Sequence, residues 1–235
     1  MNYAILLCGG TGTRLGANIP KQYLMVNGQT VLSYPLQTLQ QHPLVDRIVI
    51  VANEEWYDLI TEEMNRFKID KFFCFAKAGE SREHSMLNGA YAIVSKTGVA
   101  SNEDKILTHD AARPNISNEI IENAFQLDEH EATFPVISVA DTTYLSEDGK
   151  SISQLLNRDH LFAGQTPETF CLNDFIRMHD GMSDEEICSI RGACQLAFSK
   201  GYRVKMFEGE TNNYKITTIQ DYERFRIQKE TEIKG

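Results

Sequence analysis

The chain has 235 residues, 42% hydrophobic and 24% charged, enough apolar material for a sizeable core and too even a mixture for a disordered or fibrous protein. Lys and Arg number 23 against 33 Asp and Glu, a formal net charge of −10 that argues against a broad basic surface for nucleic acid or membrane. A local basic pocket for a small anion stays open.

The apolar runs Tyr3–Cys8 and Ile48–Ala52 fall far short of the roughly 20 residues that span a bilayer. Neither a basic leader nor a small-residue cleavage site precedes Tyr3-Ala4-Ile5-Leu6-Leu7, which predicts a soluble cytoplasmic protein. The five cysteines, Cys8, Cys74, Cys171, Cys188 and Cys194, show no CxxC or metal-ligand spacing. They are expected to be reduced thiols packed as small apolar residues.

Taken in chain order, Tyr3–Leu7, Arg47–Ala52, Phe72–Lys77, Lys105–Thr108 and Thr133–Val139 read as strands, too apolar for one-sided exposure and therefore central in a sheet. Between them Val31–Gln41, Glu54–Arg66, Ser81–Ser95 and Ser117–Leu127 carry helical spacing, with Ser81 and Ser117 placed as N-caps. This βαβ succession predicts a Rossmann-like α/β fold: a mostly parallel sheet with right-handed crossovers and helices on both faces. After Val139, Asp141–Tyr144, the turn Ser146–Lys150 and Ile152–Leu155 read as an inserted β-hairpin. Such a hairpin cannot bury both faces alone, so it is expected to be a dimerisation arm at about 140–160. The chain then continues with Leu161–Gln165, helices near Leu172–Gly181 and Ile187–Ser199, a strand at Arg203–Phe207 and a last helix from about Ile219. No linker or repeat divides it, and residues 1–235 read as one domain.

The first strand runs into Cys8-Gly9-Gly10-Thr11-Gly12-Thr13-Arg14-Leu15-Gly16 and then Pro20-Lys21-Gln22. Closely spaced glycines let several backbone N–H groups point at one place, as phosphate cradles require. The spacing is neither a Walker loop nor a complete dinucleotide fingerprint, which disfavours a nicotinamide-dependent oxidoreductase. Glycines alone would serve a structural turn equally well; two cations in the same loop, Arg14 and Lys21, favour the cradle.

Leu7 to Gly16 with Pro20-Lys21-Gln22 resembles the signature loop of the CTP-dependent polyol-phosphate cytidylyltransferases, the family of the methylerythritol-4-phosphate and ribitol-5-phosphate enzymes. Further motifs match in order: Gly79-Glu80-Ser81-Arg82-Glu83-His84-Ser85, His109-Asp110-Ala111-Ala112-Arg113-Pro114, Asp141-Thr142, Gln165-Thr166-Pro167 preceded by Arg158, and Asn213-Tyr214-Lys215. The resemblance covers the chain from residue 3 to about 225.

The resemblance implies a CMP transfer from CTP to a polyol phosphate, ribitol 5-phosphate favoured, with pyrophosphate released. It assigns nucleotide binding to Leu7, Cys8, Gly9, Gly10, Thr11, Gly12, Thr13, Arg14, Lys21, Gly79, Arg82, Ser85 and Asp110, and catalysis to Arg14, Lys21 and Lys215. Substrate binding falls to Asp110, Arg113, Thr142, Arg158 and Lys215, with Thr142 and Arg158 reaching across a homodimer. Asp110 is the implied Mg²⁺ ligand, since a carboxylate beside a triphosphate otherwise repels it. Each assignment has a plainer counterpart: Ser85 as a helix-surface serine, Asp110 and Arg113 as a structural ion pair, Arg158 as an exposed turn cation. Arg191-Gly192 stands where the resembled family carries Thr-Asp, and an arginine there suits a more anionic or differently shaped acceptor. A catalytically inactive nucleotide sensor is the alternative of a different class.

Overall fold

The computed structural model describes residues 1–10, 19–99, 101 and 103–234. Strand β1 (Asn2–Leu7) forms from an apolar run whose residues Tyr3 to Leu6 are buried on both faces. A 3-10 turn at Lys21–Tyr23 and the short antiparallel pair β2 (Met25–Val26) and β3 (Gln29–Thr30) lead into α1 (Ser33–Gln41). Then come β4 (Arg47–Ala52), α2 (Tyr57–Arg66), β5 (Phe72–Lys77), α3 (Arg82–Thr97), β6 (Lys105–Asp110) and α4 (Asn118–Ala124). Two helix starts follow the expected chemistry. Ser81 Oγ accepts the His84 N–H at 3.1 Å and Ser117 Oγ accepts the Ile120 N–H at 3.2 Å, each satisfying an otherwise orphaned donor.

Strand β7 (Glu131–Ser138) precedes the arm, whose two-residue strands β8 (Tyr144–Leu145) and β9 (Gln154–Leu155) pair antiparallel. The Val139 N–H donates to the Leu161 carbonyl at 3.1 Å and closes the stem of the arm. The chain returns as β10 (Phe162–Gly164) and β11 (Glu168–Cys171), then α5 (Leu172–Arg177), α6 (Asp184–Ser189), α7 (Ala193–Ser199), β12 (Arg203–Glu208) and α8 (Ile219–Lys234).

The main sheet runs β5-β4-β1-β6-β11-β7, with β12 parallel to β7 on its far side and β10 antiparallel to β7 beyond β11. β5, β4, β1 and β6 are mutually parallel, as predicted; β11 is antiparallel to both neighbours. Successive residues of β1 alternate between two cores. Tyr3 and Ile5 pack with α3 and α7 residues such as Met86, Ile93 and Ala197, while Ala4 and Leu6 pack with Leu36, Ile60 and Ile121 from α1, α2 and α4. Each fully buried Leu or Ile contributes roughly 1.5–3 kcal/mol, so this two-sided burial fixes the register of the central strands.

Two expectations need correction. The segment predicted as one helix over Ile187–Ser199 is two, because Gly192 adopts an extended conformation (φ −166°, ψ 134°) and breaks the chain between α6 and α7. Glu168–Cys171, left outside the predicted strands, is a sheet strand; its leading glutamate disguises a fully buried segment. Four cysteines are buried and free, as expected, whereas Cys188 is free but exposed.

Candidate active site

The strand order reverses at β1, which has β4 on one side and β6 on the other. Connections leaving β1 and β6 diverge there, opening a crevice at the carboxyl ends of the strands, where open α/β sheets take ligands. Leu7 and Asp110 are partners in register at that end.

The segment after β1 is pinned from three directions. The Cys8 N–H donates to the Val51 carbonyl at 2.7 Å. The Cys8 carbonyl accepts from Gln22 Nε2 at 2.6 Å and from the Tyr23 hydroxyl at 3.0 Å, and Gln22 Nε2 also reaches the Gly10 carbonyl at 2.7 Å. A side chain at Gly9 would place its Cβ 2.3 Å from Ala78 Cβ, so the residue must be glycine for this loop to lie against the end of β5. At Gly10 nothing among the described residues lies within 4 Å of such a Cβ. A cavity of about 390 Å³ opens here, walled by Leu7, Gly9, Gly10 and Lys21 on one side and by Gly79, Ser81, Arg82 and Ser85 on the other.

Cys8, expected at the nucleotide, lies between Leu7 and Gly9 of the cavity wall without lining the cavity itself. Its thiol is buried in the core, where burial pushes its pKa far up, and its backbone N–H and carbonyl are both engaged within the protein. It sets the position of the loop. Ser85 is buried, not a surface serine: its hydroxyl accepts the Gly79 N–H and donates to the Ser81 carbonyl, both at 3.0 Å, and so shapes the turn into α3. Thr11, Gly12, Thr13 and Arg14 lie outside the described residues.

Beneath the cavity lies a ladder of alternating charge. Glu168 Oε2 accepts from Arg82 Nη1 at 2.6 Å, Arg82 Nε donates to Asp110 Oδ1 at 3.0 Å, and Lys215 Nζ stands 2.7 Å from Asp110 Oδ2. The Cys194 N–H caps the ladder by donating to Glu168 Oε1 at 3.0 Å. Burial works to raise the Asp110 pKa, but Arg82 and then Lys215 and Arg113 overcome it and hold the carboxyl well below the usual carboxylate range. Two unit charges 4 Å apart at an effective dielectric near 20 interact by about 4 kcal/mol, so an uncompensated carboxylate would repel phosphates strongly. Paired with two cations, Asp110 can sit beside them.

Asp110 pairs with Arg82 and Lys215 rather than with Arg113. Arg113 instead donates from Nη1 to the Asn213 carbonyl at 2.7 Å, and its buried Nε–H has no acceptor among the described residues. His109, one residue before Asp110, is fully buried with both ring nitrogens engaged: Nε2 faces the Arg113 carbonyl and Nδ1 the Thr166 hydroxyl, each at 3.0 Å. The carbonyl can only accept, so Nε2 carries the hydrogen and Nδ1 accepts from Thr166. Burial lowers the His109 pKa to about 4.

A second cavity of about 640 Å³ adjoins the first, and the two share Arg82, Asp110 and Lys215 in their walls. Arg113, Thr166, Glu168 and Arg191 line only the second. The expected substrate residues Thr142 and Arg158 are exposed on the arm and line neither cavity of their own chain; Arg158 Nη1 donates to the Ala140 carbonyl at 3.2 Å. Gln22, Thr166 and Glu168 belong to the site without the sequence singling them out. The first two lay inside quoted motifs, and their signal was adjacency to Lys21 and Pro167; Glu168 gave none. For a divalent cation the site offers Asp110, and among the described residues no cluster of three or more His, Cys, Asp or Glu groups could form a cage. A single ionised carboxylate completed by phosphate oxygens suits Mg²⁺, which is held in that manner and seldom in all-protein cages.

The sequence model described as IspD, 2-C-methyl-D-erythritol 4-phosphate cytidylyltransferase, matches residues 3–227. The ribitol-5-phosphate cytidylyltransferase of Streptococcus pneumoniae serotype 2 (strain D39 / NCTC 7466) is 35% identical over 227 residues, covering 94% of this chain and 95% of that one. Among solved structures, the 2-C-methyl-D-erythritol 4-phosphate cytidylyltransferase of Francisella tularensis superposes with a TM-score of 0.78 at 25% identity, covering 97% of this chain and 99% of that one. A crystal structure of a 4-diphosphocytidyl-2C-methyl-D-erythritol synthase gives 0.76 at 26% identity, with 96% and 97% covered. With its glycine loop, charge ladder and paired cavities at the switch point of the sheet, the chain belongs to the 2-C-methyl-D-erythritol 4-phosphate cytidylyltransferase family and is a nucleotidyltransferase that uses CTP.

Proposed function

We propose that the enzyme transfers CMP from CTP to the phosphate of ribitol 5-phosphate in the presence of Mg²⁺, giving a CDP-polyol and pyrophosphate. The junction of the two cavities at Arg82, Asp110 and Lys215 carries this reading, because it lets a nucleotide on one side meet a phosphate on the other. The name of the pneumococcal relatives supports ribitol 5-phosphate. The name of the family and of the solved structures supports the second reading, 2-C-methyl-D-erythritol 4-phosphate. Retention of Lys21, Arg82, Asp110 and Lys215 around one junction speaks against an inactive sensor.

An acceptor phosphate oxygen is already ionised at neutral pH, so the attack needs no general base, and His109, buried and doubly bonded, is not offered as one. The oxygen attacks the α-phosphorus in line, a new P–O bond forms, and the bond to the bridging oxygen breaks with its electrons leaving on pyrophosphate. Lys21 and Lys215 hold positive charge against the phosphoryl groups, the family resemblance adds Arg14 to them, and positioning with electrostatics is most of what such a transfer requires. Mg²⁺, held by Asp110, would add Lewis-acid neutralisation of the triphosphate.

The same reading includes a homodimer in the cytoplasm, each arm bringing Thr142 and Arg158 to the acceptor cavity of the neighbouring subunit. Tyr144, Leu145 and Leu155 support it, exposed apolar side chains on strands too short to bury them, as does Ile152, exposed between those strands. The deciding experiment incubates the pure protein with CTP, Mg²⁺ and a panel of polyol phosphates and follows pyrophosphate. Release with ribitol 5-phosphate well above that with 2-C-methyl-D-erythritol 4-phosphate is expected; silence across the panel overturns the reading.

A further inference from the structure

The second cavity has four cations in its wall, Arg82, Arg113, Arg191 and Lys215, against two carboxylates, Asp110 and Glu168. Both carboxylates are committed to the ladder, Asp110 to Arg82 and Lys215 and Glu168 to Arg82. Charges along the ladder cancel. Two guanidinium groups are left with no carboxylate partner among the described residues: Arg113, held only by the Asn213 carbonyl and with a buried Nε–H lacking an acceptor, and Arg191. Arg191 is exposed in the break between α6 and α7, beside Gly192, where a Cβ would stand 3.7 Å from Glu168 Oε1. Neither arginine lines the nucleotide cavity. Within one chain the acceptor side therefore carries an excess of two positive charges, before any cation from a neighbouring arm is added, which suits the nearly doubly negative charge of one phosphate monoester at neutral pH.

We infer that Arg191 joins Arg113 as the seat of the acceptor's phosphate, which makes Arg191 a specificity-determining residue selecting dianionic phosphomonoesters. This rests on the cytidylyltransferase reading of the paired cavities. A guanidinium presents parallel N–H donors that match two phosphate oxygens, whereas the threonine of the resembled family offers one hydroxyl and no charge. The extended Gly192 is what frees Arg191 from a helical turn and directs the break past Glu168.

Arg191→Thr and Arg191→Lys test the inference in the full-length protein. Two readouts are taken: steady-state kinetics with CTP and ribitol 5-phosphate, and calorimetric titration of inorganic phosphate with CTP present to fill the nucleotide cavity. Loss of a charge-assisted contact predicts an acceptor KM and a phosphate Kd raised about tenfold or more in Arg191→Thr, with the CTP KM within about twofold. Arg191→Lys, which keeps the charge and loses the fork, is expected to lie between. An Arg191→Thr enzyme with wild-type acceptor KM and phosphate affinity overturns the inference, as does an equal rise in both KM values or a wild-type protein that binds no phosphate. If the wild-type enzyme transfers CMP to no phosphomonoester yet its phosphate binding depends on Arg191, the transfer reading fails and the seat stands. Normal transfer with Arg191 dispensable gives the reverse.

Discussion

Lys215 Nζ lies 2.7 Å from Asp110 Oδ2, although 105 positions of chain separate the residues, and Arg82 occupies the other oxygen of the same carboxylate. Asp110 thus gathers two cations from different elements to the point where both cavities meet. Replacing it by Asn keeps the shape and removes the charge that holds them. Asp110→Asn is expected to lower kcat/KM by about two to three orders of magnitude, the usual scale for losing a preorganised electrostatic group. Steady-state kinetics check this, with circular dichroism to show a folded protein; a loss below about fivefold would contradict the role of Asp110.

Gly9 and Gly10 are adjacent and predicted to respond oppositely. Gly9→Ala sets two Cβ atoms 2.3 Å apart unless the loop or the Ala78 backbone moves, and is expected to cost about 1–3 kcal/mol of stability. Gly10→Ala meets no atom of the described residues within 4 Å, so the urea midpoint should stay near wild type, within about 0.5 kcal/mol. Its methyl group would intrude where the triphosphate is cradled, and the CTP KM should rise by about tenfold. Equal behaviour of the two variants would refute this division.

His109 should give folding stability a pH dependence. Its pKa is about 4 in the folded protein against an ordinary value of 6.5, so between those pH values the unfolded chain binds a proton that the native state refuses. Stability therefore rises with pH across about 4 to 6.5 and flattens above, an effect on the order of 3 kcal/mol. Asp110, whose folded pKa is depressed, acts below its ordinary 3.8, outside this window. Urea unfolding at stepped pH should show a slope that is reduced in His109→Gln; an unchanged slope would remove His109 as its source.

The arm predicts the oligomeric state. Ile152 and Leu155 are 60% and 73% exposed on its returning half, and light scattering should return twice the 26.7 kDa of one chain. Replacing both by Asp should give a monomer that keeps CTP binding and loses most transfer, because Thr142 and Arg158 no longer reach a neighbour. A fully active monomer would show that the arm supplies nothing to the reaction.

The central strands were legible because Tyr3–Leu6 and Ile48–Ala52 are buried on both faces, which leaves near-continuous apolar runs in the sequence. Lys21, Asp110 and Lys215 were legible from motifs. Glu168 was not: its partner Arg82 lies 86 positions away, and a buried glutamate reads as a loop residue until the cation that neutralises it is located. The role of Gln22 escaped for a similar reason, since its amide acts on carbonyls 12 and 14 positions earlier, and backbone acceptors leave no mark on side-chain patterns.

The stem at Val139 and Leu161 means that the excursion between them leaves and re-enters the sheet at a single hydrogen-bonded point. Such an insertion is a cassette: it can lengthen or shorten with little effect on the strands that carry Asp110 and Glu168. In the proposed dimer that excursion holds both the subunit contact and Thr142 and Arg158, so changes of companion subunit and of acceptor are coupled in one stretch of chain, while the cavity around Lys21, Arg82 and Asp110 is built by other segments and can stay fixed.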